Sequence, residues 1–474
     1  MTRLPYSRVV DVSLTRQDRF AVATGFSVAL IVQPATVAGI LDATHRTKIY
    51  ADMTEVGADF IVTDAAYKAA QAMFAQNPRP RQIKIGYRNP ANSITSELDA
   101  IYAADPDFYW IGFTAEIRDT INQQLAAVWA ETKPVLMGLD SNDTSTEAAA
   151  AEPDKTATVT ISIASPGVIT WTGHTLQNGN QVILTTSGAL PTGLTAGTPY
   201  YVVNQATNTF QVSATLGGSA ITTTGTQSGT HTATSPQFGG SVAEYIKSKG
   251  YDRSFVFYHT DTALYGALAL LAYCATRDLD RGNLQAAQRG DINSGNAYTA
   301  KFKKLAGISV LNKGSAVVQA ITGFVPGIGL DPAQGHFANT YVDIGGLPMV
   351  VEGSVASGAF IDEIHASDWI VARMREALLS TLANNARVPF TNVGVAMLTN
   401  TVDSVMRRAV AAGIVAAEFG DDDTEVLPEY DISVDRVENI PPAQRRQRIA
   451  PDIKVNFRYA GAIHYASASI TLRF

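Results

Sequence analysis

Short apolar segments alternate with amphipathic helical segments through residues 82–139, and few architectures can accommodate this order. Strands separated by helices usually pair in parallel, and the helices then cover the faces of the sheet. The pattern therefore predicts an α/β sandwich, to which an earlier apolar run at 26–32 adds a buried strand. The predicted strands lie at 82–87, 108–113 and 135–139, and the predicted helices lie near 96–103 and 115–130.

A segment without charged side chains interrupts this alternation. Residues 156–243 contain no Asp, Glu, Lys or Arg and are dominated by Thr, Ser, Gly, Asn and Gln. Val159, Ile161 and Ile163 alternate with polar residues, and turn residues recur along the segment, as is typical of short strands joined by turns. The segment is predicted to be an all-β sandwich domain that is inserted into the α/β body and projects from its surface.

The α/β pattern resumes after the insertion, with a helix predicted at 242–249 and a strand at 255–258. The fold class is therefore α/β (α+β multidomain): an α/β sandwich body split by an inserted all-β sandwich domain, with terminal β-strand arms. We predict an N-terminal arm with a strand, a first body part, the insert, a second body part, and a C-terminal domain with helices and a terminal hairpin. Their respective limits are 1–20, 21–151, 152–237, 238–350 and 351–474.

Composition argues against several classes of function. The chain has 474 residues and a net charge of -7, which gives no general attraction to nucleic acid or to an anionic membrane. No apolar run is long enough for membrane insertion, and the lack of a secretory signal favours synthesis in a cytoplasm. The single cysteine, Cys274, excludes an internal disulfide framework, and its apolar neighbours predict burial. No cofactor or metal site is predicted.

The best enzyme-like group follows the predicted strand 255–258. His259 and Asp261 come directly after it, and α/β folds usually place ligands at the carboxyl ends of their strands. However, Asp261 is better suited to capping the next helix, and the sequence offers His259 no nucleophile or metal partner. The chain is therefore predicted not to be an enzyme, and an α/β enzyme with a site at these two residues is kept as an alternative.

A compact unit at residues 50–88 carries a distinctive motif. Thr54 is predicted to cap a first helix and Thr63 or Asp64 a second, and the turn at 78–80 leads into the first strand of the alternation. In order and spacing, the motif residues resemble the tail sheath family of contractile-tailed bacteriophages. They are Tyr50, Glu55, Val56, Phe60, Tyr67, Lys68, Ala69, Ala70, Met73, Phe74, Gln76, Pro78, Pro80, Ile85 and Gly86.

Three later segments strengthen this resemblance. They are KFKKLAGISV at 301–310, GAFIDEIHASDWI at 358–370 and VPFTNVGVAML at 388–398. Ser367, Asp368 and Trp369 are predicted to open a long helix, and a second amphipathic helix is predicted to end at Gly413. The segment 173–232 of the insert resembles a small all-β module that is appended to many phage virion proteins.

The resemblance implies a structural virion protein. In this family, sheath subunits form hexameric rings stacked helically around a tail tube, and contraction drives the tube through the host envelope during genome delivery. The implied partners are further copies of the chain, the tail tube protein, and baseplate and tail terminator proteins. The implied location is the virion tail, after assembly in the bacterial host cytoplasm. A surface adhesin that contacts host glycans through the insert is the second alternative.

Alternating apolar residues near both chain ends predict strands that subunits exchange. Backbone hydrogen bonds can hold a strand in a neighbour's sheet while the linker to it bends. The intersubunit strand candidates are Val10, Val12, Leu14, Ile453, Val455, Phe457, Tyr459, Ile470 and Leu472.

Two opposite charge runs near the C-terminus predict rim contacts that can be exchanged between subunits. Arg407 and Arg408, earlier in the chain, are either a solvated face or half of an intersubunit pair. The intersubunit charge candidates are Asp421, Asp422, Asp423, Arg445, Arg446 and Arg448.

Overall fold

The computed structural model describes residues 25–118, 120–148, 154–235, 241–280, 297–419 and 426–467. They form two compact units. The α/β unit contains the described residues of 25–279, 297–368 and 461–467, and the C-terminal unit contains Asp280, 369–419 and 426–460. Some sequence-based candidates lie outside the described residues and stay predictions, namely Val10, Val12, Leu14, Asp421, Asp422, Asp423, Ile470 and Leu472.

The α/β unit begins with alternating strands and helices, as predicted. Strand β1 lies between β3 and β4 and pairs in parallel with both, whereas β2 is antiparallel to β3. The strands are β1 (Ala29–Gln33), β2 (Thr47–Tyr50), β3 (Ile83–Tyr87), β4 (Trp110–Phe113) and β5 (Leu136–Ser141). The helices are α1 (Met53–Asp59), α2 (Ala65–Phe74), α3 (Ile94–Ala104) and α4 (Thr120–Ala130).

The helix caps of the 50–88 unit differ in part from the prediction. Asp52 rather than Thr54 caps α1, because the Asp52 carboxylate accepts hydrogen bonds from the backbone N–H groups of Thr54 and Glu55. Asp64 occupies the predicted N-cap position of α2, but its side chain makes no capping hydrogen bond and accepts one from the Ile61 N–H instead. In β3 both faces are covered, so even Lys84 is buried, and its ammonium lies 2.7 Å from the Asp105 carboxylate.

The insert is a closed barrel rather than the predicted two-sheet sandwich. Its strands run in the order β10-β7-β6-β11-β8-β9, and β10 pairs with both β7 and β9. Closure gives every strand a partner on both sides, which removes the exposed sheet edges that a sandwich would leave. The strands are β6 (Lys155–Ile161), β7 (Ile169–Thr170), β8 (Gln181–Thr186), β9 (Pro199–Val203), β10 (Thr209–Ser213) and β11 (His231–Ser235).

The chain returns to the parallel sheet after the barrel, with α5 (Val242–Ser248), β12 (Ser254–Tyr258) and α6 (Gly266–Ala275). Strand β12 pairs in parallel with β5 and completes a six-stranded sheet in the order β12-β5-β4-β1-β3-β2. Helix α6 is buried along its whole length. Cys274 lies in this helix, as predicted from its neighbours, and burial raises the pKa of its thiol to about 12.

Two short hairpins follow later in the α/β unit. Helix α7 (Ser315–Thr322) precedes β13 (Phe324–Val325) and β14 (Gly329–Leu330), which pair antiparallel, as do β15 (Thr340–Ile344) and β16 (Leu347–Val351). Asn339 lies beside β12, since its backbone N–H donates to the Val256 carbonyl at 2.7 Å. The second hairpin is thereby attached to the main sheet.

The long helix α8 (Ile361–Asn384) begins earlier than predicted. Ser367, Asp368 and Trp369 lie inside it rather than at its start, and the Asp368 carboxylate binds Arg253 instead of capping a helix. The remaining elements are α9 (Asn392–Ala411), β17 (Ala417–Phe419), β18 (Val426–Pro428), β19 (Tyr430–Val434), α10 (Pro442–Arg446) and β20 (Ile453–Phe457). Strands β17 and β18 form one antiparallel pair, and β19 and β20 form another.

Candidate assembly site

The motif at 358–370 attaches the start of α8 to the α/β sheet. His365 is fully buried, and burial lowers its pKa to about 3, so the ring is neutral at physiological pH. The Tyr298 hydroxyl lies 3.0 Å from Nδ1 of His365. Aromatic rings surround the imidazole at centroid distances of 4.9 Å for Trp110, 5.3 Å for Tyr109, 5.6 Å for Phe26 and 5.8 Å for Tyr298. The motif histidine therefore has a packing role.

Asp368 links the same helix to residues that directly precede strands β4 and β12 of the sheet. Its carboxylate accepts a hydrogen bond from the Tyr109 hydroxyl at 2.6 Å and from both terminal nitrogens of Arg253, one of them at 2.9 Å. Burial, together with this carboxylate, raises the pKa of Tyr109 well above its usual value. The most specific motif of the sequence is thus a set of packing and ion-pair contacts.

The motif at 388–398 surrounds the start of α9. Thr391 caps this helix, since its side chain accepts a hydrogen bond from the Gly394 N–H. A Cβ atom on Gly394 would lie 1.9 Å from the Pro389 carbonyl oxygen, which is backbone and cannot move aside like a side chain. Glycine is therefore needed at this position for the preceding turn to fold back on the helix.

Strands β19 and β20 offer open backbone edges. Ile432 faces Val455 in this pair, and no further strand joins it within the described part of the chain. The Arg458 N–H donates to the Glu429 carbonyl at 3.0 Å. Because the direction of these groups alternates along an antiparallel strand, the N–H groups of Val455 and Phe457 point away from β19. The sheet has the geometry needed to accept an added strand.

The structure assigns the predicted terminal strand only in part. Ile453, Val455 and Phe457 lie in β20, and Tyr459 follows it and forms a bridge to Val415. Phe457 is exposed, whereas the side chains of Ile453, Val455 and Tyr459 are half-buried. The described residues after Gly461, namely 462–467, form no strand, and the rest of the predicted second hairpin strand lies outside the described residues and stays a prediction. The described segment is held by a side chain instead.

His464 attaches residues 461–467 to the rest of the α/β unit. Its ring contacts Phe360 edge-on at a centroid distance of 4.5 Å, and its Nε2 lies 2.9 Å from the Thr299 hydroxyl. Burial, together with the positive charges of Lys301 and Lys303, lowers the pKa of His464 to about 4. The segment is therefore attached through a neutral imidazole.

We expect acid to release this segment. The folded pKa of about 4 lies below the unfolded value of 6.5, so this contribution to stability is present above pH 6.5 and is lost as pH falls through 4. Hydrogen exchange of residues 461–467 should accelerate between pH 6.5 and 4 after correction for the intrinsic rate. His464→Phe keeps a ring against Phe360, and in this variant the corrected exchange should no longer depend on pH over that range. Equal pH dependence in both proteins would contradict the prediction.

The basic run lies on the surface of the C-terminal unit. Arg445 and Arg446 belong to the short helix α10, and Arg448 follows it, with all three side chains exposed. Within residues 426–460, none of the three forms an ion pair with a carboxylate. Their predicted acidic counterpart lies outside the described residues, so the pairing of the two runs stays a prediction.

Sequence reasoning missed a charged cluster around Asp280. The Arg373 guanidinium binds this carboxylate at 2.6 Å, Arg408 binds it at 2.6 Å, and the Trp369 indole N–H donates to it at 3.2 Å. Burial would raise the pKa of Asp280, but these hydrogen bonds and charges lower it. Arg407 pairs with Asp403 at 2.7 Å. Arg407 and Arg408 thus both have partners within the chain.

His259 and Asp261, the alternative enzyme site, both serve backbone groups. Nδ1 of His259 accepts a hydrogen bond from the Asp261 N–H at 2.9 Å, and its Nε2 donates to the Ser309 carbonyl at 3.1 Å. The Asp261 carboxylate caps the short turn Thr262–Leu264. These contacts occupy both imidazole nitrogens, so the pair is arranged for structure rather than for proton transfer.

The described residues contain neither a metal-binding cluster nor a membrane-spanning helix. No group of three or more His, Cys, Asp or Glu side chains is placed to hold a metal ion there. Among the helices in these parts of the chain, none is both long and apolar enough to cross a membrane.

Solved structures of contractile injection systems share this fold. The PVC sheath complex of an extracellular contractile injection system, in its contracted state, aligns with a TM-score of 0.53 and 10% identity, covering 99% of this chain and 98% of that chain. The 6-fold symmetrised baseplate of the anti-feeding prophage aligns with a TM-score of 0.50 and 10% identity over 100% of both chains. The baseplate of the anti-feeding prophage in its contracted state aligns with a TM-score of 0.50 and 9% identity, covering 98% of this chain and 100% of that chain. The fold is thus that of sheath proteins in contractile systems.

The C-terminal part of the chain also matches a protein family. Residues 361–472, which begin where α8 begins, match the family described as E217 tail sheath protein gp31-like, C-terminal domain. Comparison with curated proteins gives no match. The predicted resemblance to contractile tail sheath proteins is confirmed by this match over the C-terminal part of the chain and by the shared fold.

Proposed function

We propose that this chain polymerises as hexameric rings stacked helically around a tail tube and contracts to drive the tube through the host envelope during genome delivery. The observation that carries the proposal is the match of residues 361–472 to a tail sheath C-terminal domain. The fold shared over nearly the whole chain with contractile-system proteins supports it. Such a machine needs no catalytic group, because a ligand-free lattice can move from a less stable to a more stable packing.

Strand exchange is the linkage that we propose between subunits. A contracting lattice must keep its connections while subunit packing changes, and backbone hydrogen bonds to a donated strand meet this need. The open edges of the β19–β20 pair are the proposed acceptors. The proposed donors are the N-terminal segment with Val10, Val12 and Leu14 and the C-terminal segment with Ile470 and Leu472.

The proposed partners follow from this role. They are further copies of the chain, the tail tube protein, and baseplate and tail terminator proteins. The proposed site of assembly is the bacterial host cytoplasm, and the proposed final location is the virion tail. Nucleic acid and membrane are not proposed as partners, in line with the net charge of -7.

Electron microscopy of the purified full chain tests the proposal. We expect rings or hollow tubes with six subunits per ring, alone or on addition of the cognate tube. A monodisperse monomer that stays unassembled at high concentration and in the presence of tubes would overturn it. Scattering or sedimentation on the same samples separates an assembly from an aggregate.

The charge-run hypothesis gives a separate prediction. Reversing Arg445 and Arg446 to glutamate should raise the protein concentration needed for assembly several-fold, since each exposed pair contributes about 0.2–1 kcal/mol and the contact repeats in every subunit. Sedimentation at low and high salt should show a larger effect at low salt.

Arg387→Glu is the matched control for this prediction, because Arg387 is exposed in the same unit but lies outside the run. Reversing Asp421 and Asp422 to lysine in the double variant should restore assembly if the two runs pair. Unchanged assembly and contraction of the double variant would remove the hypothesis.

A further inference from the structure

A cleft lies between the barrel and the α/β body of the same unit. It has a volume of about 630 Å³, within the range of about 300–1,000 Å³ that is usual for ligand pockets. On the body side, residues at the carboxyl ends of β4 and β5 line it, among them Arg118 and Asn142. On the barrel side, the loop with Gln177 and Asn178 lines it. The cleft thus lies at the sheet edge where α/β folds usually bind ligands.

Direct packing holds the barrel against the body beside this cleft. Leu216 of the barrel packs on the main hydrophobic core of the body. Gly217 and Gly179 approach α4 closely, since a Cβ atom on them would lie 3.1 Å from Leu125 and 2.7 Å from Gln124. The two walls of the cleft therefore belong to one packed body and not to a flexible connection.

The polar groups of the cleft suit a ligand with many hydroxyl groups. Five side-chain amides line it, and the amide group contains both donors and an acceptor, as a sugar hydroxyl does, although some of these atoms also bond within the chain, such as Gln123 to the Asp140 carbonyl. They belong to Gln123, Asn142, Gln177, Asn178 and Gln205. Nη2 of Arg118 is buried and makes no hydrogen bond, and the Asp140 carboxylate lies 4.0 Å away, so a small shift of the side chain brings this donor to a ligand in the cleft.

The charge balance of the cleft argues for a neutral ligand. Among the described residues that line it, Arg118 and Asp143 are the two charged ones, one of each sign. Asp140, whose carboxylate lies 4.0 Å from Nη2 of Arg118, further offsets the positive charge. A phosphate or sulfate would therefore meet no net positive field. We propose that this cleft binds a neutral carbohydrate, an activity that does not rest on the proposed sheath function.

Saturation-transfer NMR on the soluble full chain tests this site. The probes are glucose, galactose, mannose, rhamnose and N-acetylglucosamine, and disaccharides of these sugars, with glucuronic acid as an anionic comparison. We expect saturation transfer to at least one neutral sugar, and weaker transfer to glucuronic acid. No transfer to any neutral sugar, or a preference for the anionic one, would overturn the proposal.

Two variants assign the binding to the cleft. Gln177→Trp places a large ring at its mouth, and Arg118→Met removes the unpaired donor. Each should weaken binding by about tenfold or more, which corresponds to about 1.4 kcal/mol. Gln71→Trp is the control, since Gln71 is also an exposed glutamine but lies on α2, away from the cleft. Retained affinity in both cleft variants would place the binding elsewhere and overturn the assignment, whereas tube formation tested in parallel reports on the sheath proposal alone.

Discussion

Val455→Pro is expected to leave the chain folded and to abolish its assembly into tubes. The N–H group of Val455 points away from β19, so proline at this position removes a donor from the open edge and not from the internal pairing with Ile432. A strand backbone also suits the residue before proline. We expect a small loss of stability from the half-buried side chain and a complete loss of tubes by electron microscopy, with unchanged circular dichroism.

Two control variants make this result specific. Val455→Thr keeps the N–H group and the branched shape, and it should assemble. Asn456→Pro removes an N–H group that points toward β19, so it should disrupt the strand pair itself. Ile432→Pro applies the same test to the other open edge. Normal assembly of both Val455→Pro and Ile432→Pro would show that neither edge accepts a strand, and strand exchange at this sheet would be wrong.

Periodicity predicted much of the α/β unit because its strands and helices are local patterns. The apolar run at 26–32 corresponds to β1, one of the two central strands, and the later runs correspond to β3, β4, β5 and β12. The order of the strands in the sheet could not be read from these runs. It depends on which helix covers which face, and β12 joins β5 only after the chain has passed through the whole barrel.

The incorrect and missing predictions share a physical cause. Contacts between residues distant in sequence override the local sequence pattern. Ser367 and Asp368 look like a helix start, but Asp368 binds Arg253, which is 115 residues away, and α8 begins at Ile361. Asp280 gave no local signal at all, since its partner Arg373 is 93 residues away. Strand alternation in the insert was recognised, but alternation alone does not distinguish a closed barrel from two packed sheets.

The candidate assembly site was predictable to a similar degree. The alternation of Ile453, Val455 and Phe457 correctly predicted β20, whereas its partner β19 and the open edges required the structure. The motif residues His365 and Asp368 were recognised from the sequence, but their packing and ion-pair contacts were not predicted. An aromatic enclosure formed by four rings from three separate segments, and an ion pair between residues 115 positions apart, leave no local pattern.

The glycine of the 388–398 motif leads to the second large effect. Alanine is normally preferred to glycine inside a helix by roughly 1 kcal/mol, so propensity alone predicts that Gly394→Ala stabilises α9. The backbone predicts the opposite, because the new Cβ atom would lie 1.9 Å from the Pro389 carbonyl oxygen. We expect a loss of about 3 kcal/mol in the local stability of the C-terminal unit, since overpacking against a fixed backbone costs at least as much as overpacking a core.

Hydrogen exchange of α9 measures this loss directly, because protection of helix amides reports the free energy of local opening. Val393→Ala is the matched control, since Val393 is the preceding residue of the same helix and is 71% exposed. That change should shift protection by less than about 0.5 kcal/mol. If Gly394→Ala keeps or raises the protection of α9, then the Pro389 turn can move away from the helix without cost. In that case the close approach is not the reason for glycine in the motif, and the same variant should also assemble normally, because β19 packs on α9 and its open edge would be undisturbed.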